Sequence, residues 1–229
     1  MTYRRYGVYY APPPGALARF GAAWLGWDLD QGHSVPHPDI PGLPLPIEEM
    51  TATPRKYGFH ATLKPPFHLA RGCREDDLIE AVEILGQRTF HPVMGLRLEV
   101  TQLGRFLALT ASGNTAQLGG LAAMCVETLD VFRAPPSEAE LAKRRAAGLS
   151  HSQENMLLDW GYPHVMENFR FHMTLTGKLP KSALPGTRDA LTKALDGVLP
   201  EPFTLDQICM VGEDAEGRFH LVHRYALSG

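Results

Sequence analysis

Two segments of the chain alternate apolar and polar residues with a period of two, the pattern of a strand that buries one face. In the first, Phe59, Ala61 and Leu63 oppose a polar face of Lys56, Gly58, His60, Thr62 and Lys64. In the second, Phe171, Met173 and Leu175 oppose Arg170, His172, Thr174, Thr176 and Lys178. The string His-x-Thr-Leu thus stands at 60–63 and again at 172–175, 112 positions later, each time directly after a Phe. Residues i and i+2 of a strand share a face, so each string sets an imidazole beside a hydroxyl.

The surrounding pattern predicts the same elements in the same order around both strings. After the strand at 59–69 come an amphipathic helix over 75–88, with Leu78, Ile79, Val82 and Leu85 inward, and a hairpin of 96–102 and 106–111 around Gly104. After the strand at 169–176 come a helix over 182–199 and strands at 203–211 and 219–227 that meet across the turn at 212–217. Gly-Arg-Phe at 104–106 recurs at 217–219, so the duplication reaches well beyond four residues. Ahead of both copies, a strand at 6–10 stops at Pro12-Pro13-Pro14, and Leu17, Phe20, Trp24 and Leu25 recur at helical spacing; the proline-rich stretch 31–54 reads as an ordered surface loop bordering a pocket. Helices at 116–132, 137–147 and 150–160 lie between the copies, the second opened by a capping box of Ser137 and Glu140. The expected fold is α+β in two layers, with residues 1–229 forming one bilobal unit. Two pseudo-symmetric lobes, each an antiparallel sheet with helices on its outer face, enclose a central cleft; the repeat copies span approximately 55–111 and 168–227, with the helical insert at approximately 116–160.

Composition narrows the function. With 229 residues, 44% hydrophobic and 21% charged, the chain can bury a substantial core. The net charge of −3, with Lys and Arg scattered, argues against a broad nucleic-acid surface held by counterion release. Cys73, Cys125 and Cys209 show no ligand spacing, so free thiols in a reducing cytoplasm are expected rather than a disulfide framework or a zinc site. Residues 1–10 lack the apolar core of a signal peptide and no apolar run approaches the ~20 residues that span a bilayer, so a cytosolic protein without a membrane segment is expected.

Two imidazoles, neighbouring hydroxyls and cations, uninterrupted by any carboxylate, suit a phosphate or another compact anion. One neutral imidazole can take a proton from an attacking water or hydroxyl while a protonated one supplies the departing oxygen, and Thr hydroxyls can bind the non-bridging oxygens. This chemistry calls for no metal and no cofactor. His60/Thr62 and His172/Thr174 resemble the paired motifs of the 2H phosphoesterases, and the order strand, helix, hairpin is similar as well. More narrowly, the stretches 54–67 (Pro54 to Phe67) and Trp160-Gly161-Tyr162-Pro163 are similar to phosphonate metabolism proteins of bacterial phosphonate-use operons. The resemblance implies hydrolysis or transfer at a cyclic phosphate or phosphodiester of a nucleotide or sugar, with a phosphonate-derived cyclic phosphate favoured by the narrower likeness.

On this reading His60 and His172 are the catalytic pair, with base and acid roles unassigned, and Thr62, Thr174, Lys64 and Arg170 contact the phosphate in preference to Lys178. Tyr9, Tyr10, Arg55, Tyr57 and Thr176 are candidates for the cleft wall. One of the two N-terminal tyrosines faces the cleft, Tyr57 also fits the core, and Pro54 leaves the direction of Arg55 open. The expected partner is a small phosphorylated molecule, a cyclic nucleotide or sugar phosphate, with an RNA end as a further candidate. A non-catalytic module that binds a phosphorylated metabolite or RNA end would use the same cleft. A metal-dependent hydrolase would need carboxylates that the two polar faces lack. Lys143-Arg144-Arg145 suits the negative end of a helix dipole, or a phosphate if the insert folds over the cleft. The other eight histidines read as structural, and no Walker A or Rossmann glycine pattern occurs.

Overall fold

The computed structural model describes residues 3–229. Strand β1 (Arg5–Tyr10) is followed by α1 (Ala16–Leu25), a short hairpin of β2 (Trp27–Asp28) and β3 (His33–Ser34), and α2 (Ile47–Thr51). The first repeat then supplies β4 (Ala61–Phe67), α3 (Glu75–Thr89), β5 (Val93–Leu103) and β6 (Phe106–Gly113); the insert supplies α4 (Thr115–Thr128), α5 (Glu138–Arg145) and α6 (His151–Trp160). The second repeat supplies β7 (His172–Thr174), α7 (Leu184–Ala194), β8 (Phe203–Leu205), β9 (Gln207–Glu213) and β10 (Phe219–Ala226). The predicted surface loop at 31–54 therefore contains β3 and α2. Ser137 caps α5 as expected, its hydroxyl accepting from the Glu140 N–H and its own N–H donating to Glu140 Oε2 at 2.9 Å.

The fold is mixed α+β, and its two halves join edge to edge. Eight strands form one antiparallel sheet in the order β10-β9-β1-β4-β7-β6-β5-β8, with the seam where Ala61 of β4 pairs Met173 of β7. The hairpins are exchanged between halves: β5 and β6 from the first repeat sit beside β7, while β9 and β10 from the second lie on the far side of β1, next to β4. Helix α3 covers β9 and β10, and α7 covers β5 and β6. Neither copy can bury its own helix without the other copy's strands, so the halves stabilise each other.

One apolar cluster runs under both halves and includes Val8, Tyr10, Ala61, Leu63, Leu109, Met173 and Leu175. These residues are the inward faces of β1, β4, β6 and the second motif segment, and full burial of each large side chain contributes roughly 1.5–3 kcal/mol. Trp24 of α1 joins the cluster and donates its indole N–H to the Leu175 carbonyl at 2.7 Å, tying the N-terminal helix to the second motif. Pro65 and Pro66 are tolerated in β4 because β7 pairs it only at Ala61 and the β1 pairing is irregular between Val8↔Lys64 and Tyr6↔Phe67, so neither side needs a ladder donor there. No helix among the described residues is long and apolar enough to cross a membrane.

Candidate active site

The seam decides which side chains meet. With Ala61 opposite Met173, continuing the antiparallel register by one residue either way sets His60 opposite Thr174 and Thr62 opposite His172. Ala61 and Met173 point into the core, so the two imidazoles and two hydroxyls project together on the opposite face. Two adjoining cavities open over this patch: one of about 570 Å³ bordered by Thr62, His172 and Arg170, and one of about 250 Å³ bordered by His60, Thr174 and Tyr57. Phe106, at the start of β6, lines both.

Each imidazole is held the same way. His60 Nδ1 lies 2.9 Å from the Gly58 carbonyl, and His172 Nδ1 lies 2.8 Å from the Arg170 carbonyl. A carbonyl only accepts, so in each ring Nδ1 carries the proton and Nε2 of the neutral ring presents a lone pair to the cleft. In His60 that lone pair accepts from the Thr62 hydroxyl at 3.1 Å. Gly58 can turn its carbonyl toward the ring because it adopts φ 69° and ψ 178°, a conformation suited to glycine, and a Cβ there would meet Leu29 at 2.7 Å. Gly58→Ala should therefore destabilise the fold by about 1–3 kcal/mol and lower activity through loss of the His60 anchor. Chemical denaturation checks the first effect and an imidazole nitrogen NMR spectrum reports the second as a changed tautomer.

The two halves are alike in anchoring and unlike in what packs beside the motif. Tyr9 pairs with Thr62 on one side of the seam, and Ala108 pairs with Thr174 on the other. A phenol ring therefore covers His60, stacked at 3.7 Å between centroids, where the corresponding residue beside Thr174 offers only a methyl group; Phe106 sits 6.1 Å from the His172 ring in a tilted arrangement. Burial pushes His60 down to about 4, with the nearby His172 adding to the shift and the Gly58 hydrogen bond partly opposing it. His60 is thus neutral at physiological pH. Because its folded pKa lies below its unfolded value of ~6.5, the unfolded chain binds more protons between those values, and stability falls as pH drops through that window. For a half-buried ring we expect His60 to contribute a loss of about 2 kcal/mol between pH 7 and pH 4, so His60→Gln should lose that much less than wild type when the two proteins are unfolded in urea at a series of pH values.

The structure sorts the other predicted residues. Thr62, Thr174 and Arg170 border the cavities, as do Tyr57 and the exposed Lys178. Thr176 also borders the smaller cavity, yet it is buried and its hydroxyl accepts from the Leu107 N–H at 3.0 Å, so it supports the strand. Tyr9 lies on the histidine side of the sheet but is fully buried, stacked on His60 and lining neither cavity; Tyr10 is corrected to the core, where it packs on Phe171 and Phe203. Arg55 is likewise corrected: its guanidinium donates to the Leu25 and Glu48 carbonyls, locking the 3-10 turn at Arg55–Tyr57 to α1 and α2.

The largest correction is Lys64. The β1–β4 register slips between Tyr9↔Thr62 and Val8↔Lys64, leaving Leu63 as an extra residue, a bulge that reverses the alternation. Lys64 therefore points to the Val8 side, is 2% exposed, and donates to the Val126 carbonyl at 2.9 Å. Its burial lowers the ammonium pKa to about 8, opposed by Asp130 at 3.5 Å. It does not reach the cleft.

Residues missed in the sequence also wall the site. Phe106 belongs to the Gly-Arg-Phe repeat, which was the signal for it, while Tyr162, His164, Gln153 and Asn168 come from the insert and its exit. His164 is held below its usual range by burial, with Arg144 and His172 contributing.

A curled antiparallel sheet carrying the same histidine–threonine pair on two strands that meet at its centre defines an α+β protein with a duplicated motif at one cleft. The chain belongs to the family described as "Protein of unknown function (DUF1045)", whose model matches residues 62–220. It is 42% identical over 177 residues to "Ribose 1,5-bisphosphate phosphokinase PhnN" of Janthinobacterium sp. (strain Marseille), covering 76% of this chain and 39% of that protein. It is 34% identical over 199 residues to the protein of the same name from Laribacter hongkongensis (strain HLHK9), covering 86% of this chain and 46% of that protein. The chain thus spans less than half the length of these curated relatives. Among solved structures, "Crystal structure of phosphoesterase" aligns with TM-score 0.48 and 13% identity, and E. coli LigT complexed with phosphate with TM-score 0.45 and 12% identity, each over 100% of both chains.

Proposed function

We propose that the protein is a phosphoesterase that acts on a cyclic phosphate or phosphodiester of a small sugar or nucleotide by paired-histidine acid/base catalysis. The observation that carries this reading is the pair of imidazoles anchored through Nδ1 to a carbonyl two residues back, with both Nε2 atoms and two Thr hydroxyls on one face at the seam. His60, neutral and buried under Tyr9, takes the proton from the attacking water through Nε2 as the water oxygen bonds to phosphorus. The bond to the departing oxygen breaks as His172 Nε2, open to the larger cavity, delivers a proton to that oxygen. Thr62 turns its hydroxyl from His60 to a non-bridging oxygen, with Thr174 opposite and Arg170 at the rim adding donors.

The likeness to the 2H phosphoesterases supports the reaction class. The relatives' name concerns a ribose phosphate, which favours a sugar phosphate over an RNA end. The phosphonate-operon likeness favours a cyclic phosphate formed during phosphonate use. The test is phosphorus NMR of the protein with a panel of cyclic and linear phosphodiesters in the presence of a chelator. Conversion of a cyclic phosphate to a monoester is expected. Ligand binding without turnover across the panel would instead support a binding module, and activity lost with chelator would replace the mechanism by a metal-dependent one.

A further inference from the structure

Beyond Tyr57 lies a third cavity of about 300 Å³ whose wall includes Arg5, Lys56, His68, Arg133, Lys143 and Arg144, with Glu140 as the carboxylate among its lining residues. Several of these charges are already engaged. Arg5 is paired with Glu213, Arg133 with Asp130 at 2.7 Å, and the Glu140 carboxylate accepts from the Ser137 N–H and hydroxyl, each at 2.9 Å. Lys56, Lys143 and Arg144 form no ion pair among the described residues. The dipole of α5 accounts for Lys143 and Arg144 in its last turn, but Lys56 comes from the 3-10 turn before the first motif. Cations brought to one cavity from segments so far apart in sequence repel each other unless an anion joins them.

This cavity adjoins the histidine cleft on two sides. Tyr57 walls both it and the cavity of His60 and Thr174, while the Arg144 guanidinium lies 4.5 Å from the centroid of Tyr162, which walls the cavity of His172. Against His60 there is an unused donor. The Tyr9 hydroxyl is buried without a hydrogen-bond partner, and Tyr57, Arg5 and Tyr162 are among the groups that act on it.

We propose that this cavity binds a second phosphate, a phosphomonoester on the same substrate whose diester phosphorus lies between His60 and His172, so that the substrate is a doubly phosphorylated small molecule. The identity of the first phosphate rests on the phosphoesterase reading; the anion site does not. A monoester carries nearly two negative charges at neutral pH and three acceptor oxygens, matching the unpaired cations better than a singly charged diester.

The test uses calorimetry on the His60→Gln/His172→Gln protein, with adenosine 2′,3′-cyclic phosphate and the same compound bearing a 5′-phosphate as probes. The 5′-phosphorylated compound is expected to bind at least tenfold more tightly. That ratio should fall toward one in the added Lys56→Ala/Lys143→Ala/Arg144→Gln background and with rising salt, whereas Arg144→Lys alone should keep part of it. Equal binding of the two probes in the parent overturns the proposal, as does a preference that survives loss of all three cations. A dinucleotide whose 5′ phosphate is a diester, if bound as tightly as the monoester, assigns the cavity to strand phosphates and also overturns it. If the wild-type protein hydrolyses neither probe nor any member of the phosphodiester panel while the binding ratio persists, the phosphoesterase reading falls and the second anion site stands.

Discussion

Replacing either His60 or His172 by glutamine is expected to lower kcat/KM on a cyclic phosphate by about 10²–10⁴-fold, the range for loss of a general acid or base, with the fold retained. The two rings act on one transition state, so the double variant should be little worse than the poorer single one. The pH profile separates their roles. Burial holds His60 at about 4, so the acid limb of the wild-type kcat/KM profile should lie well below the usual histidine range, and it should vanish in His60→Gln. His172→Gln should remove the opposite limb. Full turnover by either single variant ends the paired-histidine mechanism, and exchanged limbs reverse the base and acid assignment.

The second large effect lies outside the cleft. Lys64→Ala should destabilise the protein by about 2–4 kcal/mol, through the void left by a buried four-carbon stem and a buried carbonyl without its donor. The carbonyl is that of Val126, near the end of α4, and the stem crosses Phe67, whose ring centroid lies 5.1 Å from the ammonium. Asp130 loses little, because Arg133 still holds both of its oxygens at 2.7 and 3.1 Å. Lys64→Met refills the volume without a buried charge and should recover most of the stability. Denaturant midpoints measure both variants. Had the even-numbered face continued through the strand, Lys64 would contact phosphate, and Lys64→Met would cost substrate affinity. The bulge predicts an unchanged KM instead.

That contrast marks how far local pattern reaches. Period-two alternation around His60 and His172 was enough to identify the motif strands, the face shared by each histidine and its threonine, and the apolar face behind them, because side-chain direction in a regular strand depends only on parity. Apolar spacing likewise located α1 and α3, and the Ser137–Glu140 box set the start of α5. Five-residue α2 went unread because a helix of little more than one turn, set among prolines, has no repeat to display. The hairpin exchange was equally invisible: a duplicated order of elements is compatible with either half receiving either hairpin.

A chain read residue by residue thus yields the duplicated motif, its residue chemistry and an α+β architecture, since these follow from composition and from periodicities spanning a few neighbours. Three things came only from strand pairing between distant segments. The Ala61↔Met173 seam brought the two motifs face to face. The bulge at Leu63, opposite β1, turned Lys64 from the substrate face into the core. Tyr9 opposite Thr62, against Ala108 opposite Thr174, stacked a phenol on one imidazole and set only a methyl group in the matching place of the other half. Register is a long-range property, and desolvation depends on whichever side chain the register sets beside a group. Two nearly identical strings therefore acquire different surroundings only once the sheet has formed.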